Sequence, residues 1–144
     1  MTRPQSEARP IAACPGHIYV HVPFCGRRCS YCDFAIAVRR LVPAAQFIDA
    51  IKAELVTRRI GAAGGVVRTL YFGGGTPSKL GALLGDLTNL ILDTTGRSAA
   101  DVDEITVEAN PEDIAPEVGR AWRKAGVNRV SLGVQSFDDR VLHW

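Results

Sequence analysis

The sequence predicts an α/β fold, the N-terminal part of a parallel (β/α) barrel with about four strands and three complete helices. Three observations predict it. Short β-branched or aromatic runs alternate with segments whose apolar residues recur every three or four positions, so strand, loop and helix repeat in order. The glycine-rich and polar stretches fall directly after the strands, at the edge where parallel sheets collect their chemistry. Finally, the chain has 144 residues, whereas a complete parallel barrel takes about 250. The barrel is therefore expected to be incomplete, and the chain to be the N-terminal piece of a longer protein.

Taken in order, residues 1–16 (MTRPQSEARPIAACPG) hold Pro4, Pro10 and Pro15 and no apolar run, and read as a flexible tail before a core over 17–144. HIYVHV, His17 to Val22, is a strand, and the cysteine segment after it a loop. PAAQFIDAIKAELVTRRI predicts a helix with Pro43 near its start and Phe47, Ile48, Ile51 and Leu55 on one face, ended by Gly61, Gly64 and Gly65. VVRTLYF, Val66 to Phe72, is a second strand running into GGGTPS. Leu80, Leu83, Leu84, Leu87, Leu90 and Ile91 trace the clearest helical stripe. Gly81 and Gly85 weaken it by about 1 kcal/mol each, which points to close packing. EITVEANP, Glu104 to Pro111, is the third strand; Ile114, Val118, Trp122 and Ala125 mark a third helix closed by Gly126. VNRVSLGVQS, Val127 to Ser136, is the fourth strand, and Ser136 opens an S-x-x-D capping pattern for a fourth helix.

Composition narrows the function. Lys and Arg number 17 against 15 Asp and Glu, a net charge of +2, so no nucleic-acid surface is expected. No run approaches the roughly 18 apolar residues of a membrane helix, and no secretory signal is expected from the opening residues. An intracellular, cytoplasmic location is the expectation, and in a reducing compartment clustered cysteines bind metal or do redox chemistry more often than they cross-link.

That cluster is HVPFCGRRCSYCDF, with Cys25, Cys29 and Cys32 in C-x3-C-x2-C spacing. A structural zinc site takes four protein ligands. Cys14, His17 or His21 would have to supply the fourth, although His21 lies within a strand and Cys14 in the tail. A disulfide with a spare thiol is a further alternative. An iron–sulfur cube fits three thiolates better, because it leaves one iron open to something that is not protein. GGGTPS fails as a dinucleotide fingerprint and as a phosphate loop, since neither G-x-G-x-x-G nor G-x4-G-K-[ST] is met. Two readings remain: a plain βα turn, or glycines that let a ligand approach bare backbone. Cysteine loop, GGGTPS, Glu108-Ala-Asn110-Pro111 and Gln135 all end strands and should converge on one site.

Together YVHVPFCGRRCSYCDF, YFGGGTPS, ITVEANPE and RVSLGVQSF resemble the radical S-adenosylmethionine (SAM) superfamily, and within it the oxygen-independent coproporphyrinogen III oxidase family. The resemblance implies that Cys25, Cys29 and Cys32 ligate a [4Fe–4S] cluster whose fourth iron is chelated by SAM. It implies Tyr19 and Tyr31 beside the cluster and SAM, Gly74, Gly75 and Thr76 at the methionine end, and Glu108 and Gln135 on polar parts of SAM. Oxidases of the family resemble C-x3-C-x2-C-x-C, and here Phe34 stands at the last position. The CDF ending resembles the haem-chaperone (HemW) branch, which implies haem or porphyrin as ligand, a haem-acceptor protein and an electron donor as partners. The oxidase and a structural zinc domain are the alternatives.

Overall fold

Alternation of side chains decides which face of each strand is covered. The computed structural model describes residues 16–61 and 65–143, so Cys14, Gly64 and nearly all of the expected tail lie outside the described residues. Strands β1 (His17–Val22), β4 (Thr69–Gly74), β5 (Glu104–Ala109) and β6 (Arg129–Leu132) form one parallel sheet in the order β1-β4-β5-β6. Val20, Val22, Leu70, Phe72, Ile105 and Val107 are buried on the outer face. Helices α1 (Ala44–Thr57), α2 (Leu83–Thr94) and α3 (Pro116–Lys124) supply Leu55, Leu84, Leu87, Ile91 and Trp122 to the same apolar core. Side chains two residues apart share a face, so the opposite, inner face carries Tyr19, His21, Tyr71, Gly73, Thr106, Glu108, Arg129 and Ser131. The register aligns Tyr19, Tyr71, Thr106 and Arg129 in one row across the sheet. An inner face this polar is not the packed interior of a closed barrel; it is a wall against which a ligand can lie.

The expected elements are all present, with shifted ends. The cysteine segment is framed by two short strands, β2 (Phe24–Cys25) and β3 (Ala37–Val38), which pair in parallel and close the base of the loop. The strand β4 runs on through Gly73 and Gly74 because β1 keeps it in register up to Val22. The leucine stripe divides: Pro77–Leu80 is a 3-10 turn, and α2 starts only at Leu83. Gly81 makes the break with φ 56°, in the left-handed region. Gly85 serves packing, since a Cβ there would lie 3.2 Å from the Ala121 carbonyl oxygen of α3. Trp122 ties the two together, its Nε1 donating to Gly81 O at 2.8 Å. The strand β6 is shorter than expected, leaving the ladder after Leu132. The last helix, α4 (Asp139–Leu142), is capped by Asp138, whose carboxylate accepts from the Arg140 amide, while Ser136 Oγ accepts from the Asp138 amide one step earlier. No helix among the described residues is long and apolar enough to cross a membrane.

Candidate cluster and cofactor site

All the strand-end segments meet in one cavity of about 690 Å³. Cys25, Cys29 and Cys32 line it from the loop, Gly74, Gly75 and Thr76 from the end of β4, Glu108 from β5 and Gln135 from beyond β6. Tyr31 and Phe34 stand on the cysteine side of the same cavity. Tyr19 does not line it; its ring stacks on Tyr71 at a centroid distance of 5.9 Å and an angle of 22°.

Local structure aims the cysteines. A turn joins Cys32 N–H to Cys29 O at 3.2 Å, and Arg39 N–H to Cys25 O at 2.9 Å fastens the loop's base. His21 reaches out from β1 with Nε2 2.8 Å from the Ala35 carbonyl oxygen, so it holds the far end of the loop rather than standing free as a metal ligand. All three thiols are free and half-buried. Thr76 Oγ1 donates to Cys25 Sγ at 3.5 Å, a contact that suits a thiolate. Gly75 leaves room where a Cβ would stand 3.0 Å from Cys25 Sγ and 2.8 Å from the Pro23 backbone. Among the described residues no three His, Cys, Asp or Glu side chains gather closely enough to hold one metal ion. Thiolates are the usual ligands of iron–sulfur clusters, and all three thiols line the one cavity.

Across the cavity Glu108 is held on both oxygens. Tyr71 donates to Oε1 at 2.7 Å and the Gly74 amide to Oε2 at 3.2 Å. Gly74 presents that amide at φ 115°, with the His21 ring 2.6 Å from where a Cβ would be, so both conformation and space require glycine. The hydrogen bond to Glu108 is the main cause that pushes the Tyr71 phenol up to about 12. Tyr19 is also raised, first by burial and then by the Glu108 charge. The neighbouring Cys29 leads the causes that raise Tyr31, and the Tyr31 hydroxyl donates to Gln135 Oε1 at 3.5 Å. Behind the mouth, Lys79 Nζ lies 2.6 Å from Asp113 Oδ1 and Ser78 Oγ donates to Asp113 Oδ2 at 2.7 Å, pinning the loop after β4 to the loop after β5.

Sequence reasoning missed Tyr71, His21 as a loop anchor, and Asp113. For Tyr71 the sequence offers only a strand face shared with Tyr19 and Gly73; its contact with Glu108 is set by the register. Asp113 lies 34 residues from Lys79, and nothing local joins them.

The sequence profile of the radical SAM superfamily matches residues 19–144. The chain belongs to the radical SAM superfamily. It is 35% identical over 128 residues to the heme chaperone HemW of Bacillus subtilis, covering 86% of this chain and 33% of that protein. It is 38% identical over 129 residues to the oxygen-independent coproporphyrinogen III oxidase of Escherichia coli, covering 88% of this chain and 28% of that protein. The solved structure of the Escherichia coli coproporphyrinogen III oxidase HemN, described as a radical SAM enzyme, superposes with a TM-score of 0.79 at 35% identity, covering 94% of this chain and 31% of that one. The chain thus spans about a third of the length of these relatives. The superposition makes the fold a radical SAM-type partial barrel, as the strand and helix alternation predicts.

Proposed function

We propose that this radical SAM chain is the N-terminal part of a haem chaperone that binds a [4Fe–4S] cluster, SAM and haem, and delivers haem to acceptor proteins. One observation supports the branch: Phe34 stands two residues after Cys32, where the oxidases place a further cysteine, and it lines the same cavity as the three thiols. An aromatic ring there offers apolar area to a flat macrocycle, where a thiol would offer a ligand or a proton.

Within this reading Cys25, Cys29 and Cys32 hold the cluster, with the fourth iron left to SAM. Gly74, Gly75 and Thr76 offer backbone and hydroxyl groups to the methionine end, and Glu108 and Gln135 accept from its amine and ribose groups. Tyr19 stands on the same inner face, stacked on Tyr71 outside the cavity lining, and Tyr31 stands beside Gln135. When bound, the cluster supplies one-electron reduction of SAM. The protein's groups position SAM and keep a cationic ligand beside a carboxylate. A cytoplasmic location and an electron donor belong to the same proposal.

The oxidase reading is the alternative, favoured by the 38% identity to a coproporphyrinogen III oxidase. Full-length protein purified without oxygen separates the two. Iron and sulfide should be present, the absorption spectrum should change on adding SAM, and haem should give a saturable Soret band. Cys29→Ala should abolish the cluster absorbance. Absence of saturable haem binding, with protoporphyrinogen formed under reducing conditions, would make it an oxidase. Zinc at one equivalent without iron or sulfide would displace both.

A further inference from the structure

Tyr71 belongs to none of the ligand-contacting sets above, yet it makes the shorter of the two contacts that hold Glu108. Its place follows from the sheet. Tyr71 pairs with Thr106, so Glu108, two residues further along β5, is its diagonal neighbour on the inner face, within reach of a long aromatic side chain. Gly73 lies between them and has no side chain to interpose: a Cβ there would stand 2.8 Å from Tyr71 Cε1, 3.0 Å from Tyr19 Cε2 and 3.1 Å from Glu108 Oε2. Three side chains therefore close over one bare backbone position. Tyr19, stacked on Tyr71, fixes the plane of its ring.

A carboxylate offers about four acceptor positions. With Tyr71 and the Gly74 amide on one position of each oxygen, about two remain, and Glu108 lines the cavity. We propose that Tyr71 is the positioning residue of Glu108: its hydroxyl, with the Gly74 amide, holds the carboxylate in one orientation so that its remaining acceptor positions meet the N–H and O–H groups of SAM. The proposal rests on the reading of Glu108 as a SAM contact. Its logic is preorganisation: a carboxylate already fixed loses no rotational freedom when the ligand arrives. The raised phenol keeps Tyr71 a donor throughout the neutral range.

The test uses the full-length, cluster-loaded protein as wild type, Tyr71→Phe, Glu108→Gln and the double variant, with SAM binding measured by calorimetry. Tyr71→Phe removes one hydroxyl and should weaken SAM binding about tenfold, the scale of a hydrogen bond to a charged group, with iron, sulfide and thermal midpoint unchanged. Added to Glu108→Gln, it should weaken binding no further. In an alkaline absorbance titration one tyrosine should ionise near 12 in the wild type and return toward the ordinary tyrosine range in Glu108→Gln. Wild-type affinity in Tyr71→Phe, or a loss that simply adds to that of Glu108→Gln, would overturn the proposal. So would loss of cluster or of a normal thermal transition, which would make Tyr71 a folding residue. A wild-type protein that holds its cluster yet binds no SAM would refute the functional reading and the proposal together, and the titration would still show whether the Tyr71–Glu108 contact forms.

Discussion

At the scale of single residues, the site depends as much on missing side chains as on present ones. Gly75 illustrates this, because Cys25 Sγ and the Pro23 carbonyl occupy the space a Cβ would need. The Pro23 atoms are backbone and cannot rotate away. Gly75→Ala should therefore destabilise the protein by about 1–3 kcal/mol, as overpacking does, and, on the proposed reading of Cys25 as a cluster ligand, lower its iron content by displacing Cys25. Denaturant unfolding and iron analysis of the full-length variant check this; an unchanged midpoint with full iron would show that the corner yields. The grouping of the three thiols was legible in the sequence, since their spacing within one short loop is local. Tyr71 was not, because a tyrosine in a strand has an ordinary explanation as a strand former, and only the register places it diagonally from Glu108.

At the scale of elements, the helical stripe from Leu80 to Ile91 was correct in phase and wrong in start. Apolar periodicity continues through the 3-10 turn and the two residues after it, while the backbone turns at Gly81. Hydrophobic period reports which face is buried; it does not report φ. The Gly81 carbonyl is then spoken for by Trp122, a side chain only 2% exposed. Trp122→Phe keeps an aromatic ring and removes the donor. It should cost about 0.5–1.5 kcal/mol, the net worth of one hydrogen bond, because the Leu84 amide still donates to the Gly81 carbonyl at 3.3 Å. Thermal or denaturant unfolding measures it, and no measurable loss would mean that the Trp122 hydrogen bond adds nothing to what the Leu84 amide already supplies.

At the scale of the whole molecule, the sheet has two open edges among the described residues: β1 pairs only with β4, and β6 only with β5. Around β6 the outer face is poorly covered, with Val130 45% exposed and Leu132 46%, and Phe137 beyond it 95% exposed. Unpaired strand edges and bare apolar area promote association. The isolated 144-residue chain is therefore expected to self-associate or to be partly folded. Light scattering across a concentration series should show growth in mass. A monodisperse monomer with a sharp, cooperative thermal transition would contradict this.

The sequence by itself determined the parallel α/β architecture, the three-thiol loop, and the fact that each chemical segment lies at or just beyond the end of a strand. Those are consequences of local periodicity and of chain order, which any reader of the sequence can follow. The tertiary structure decided what those segments do to one another: Tyr71 and Gly74 N–H on Glu108, His21 on Ala35, Lys79 and Ser78 on Asp113. Each of these contacts is made across different strands and loops. Its existence depends on register and on the space left by Gly73, Gly74 and Gly75, and neither is written in any local stretch of sequence.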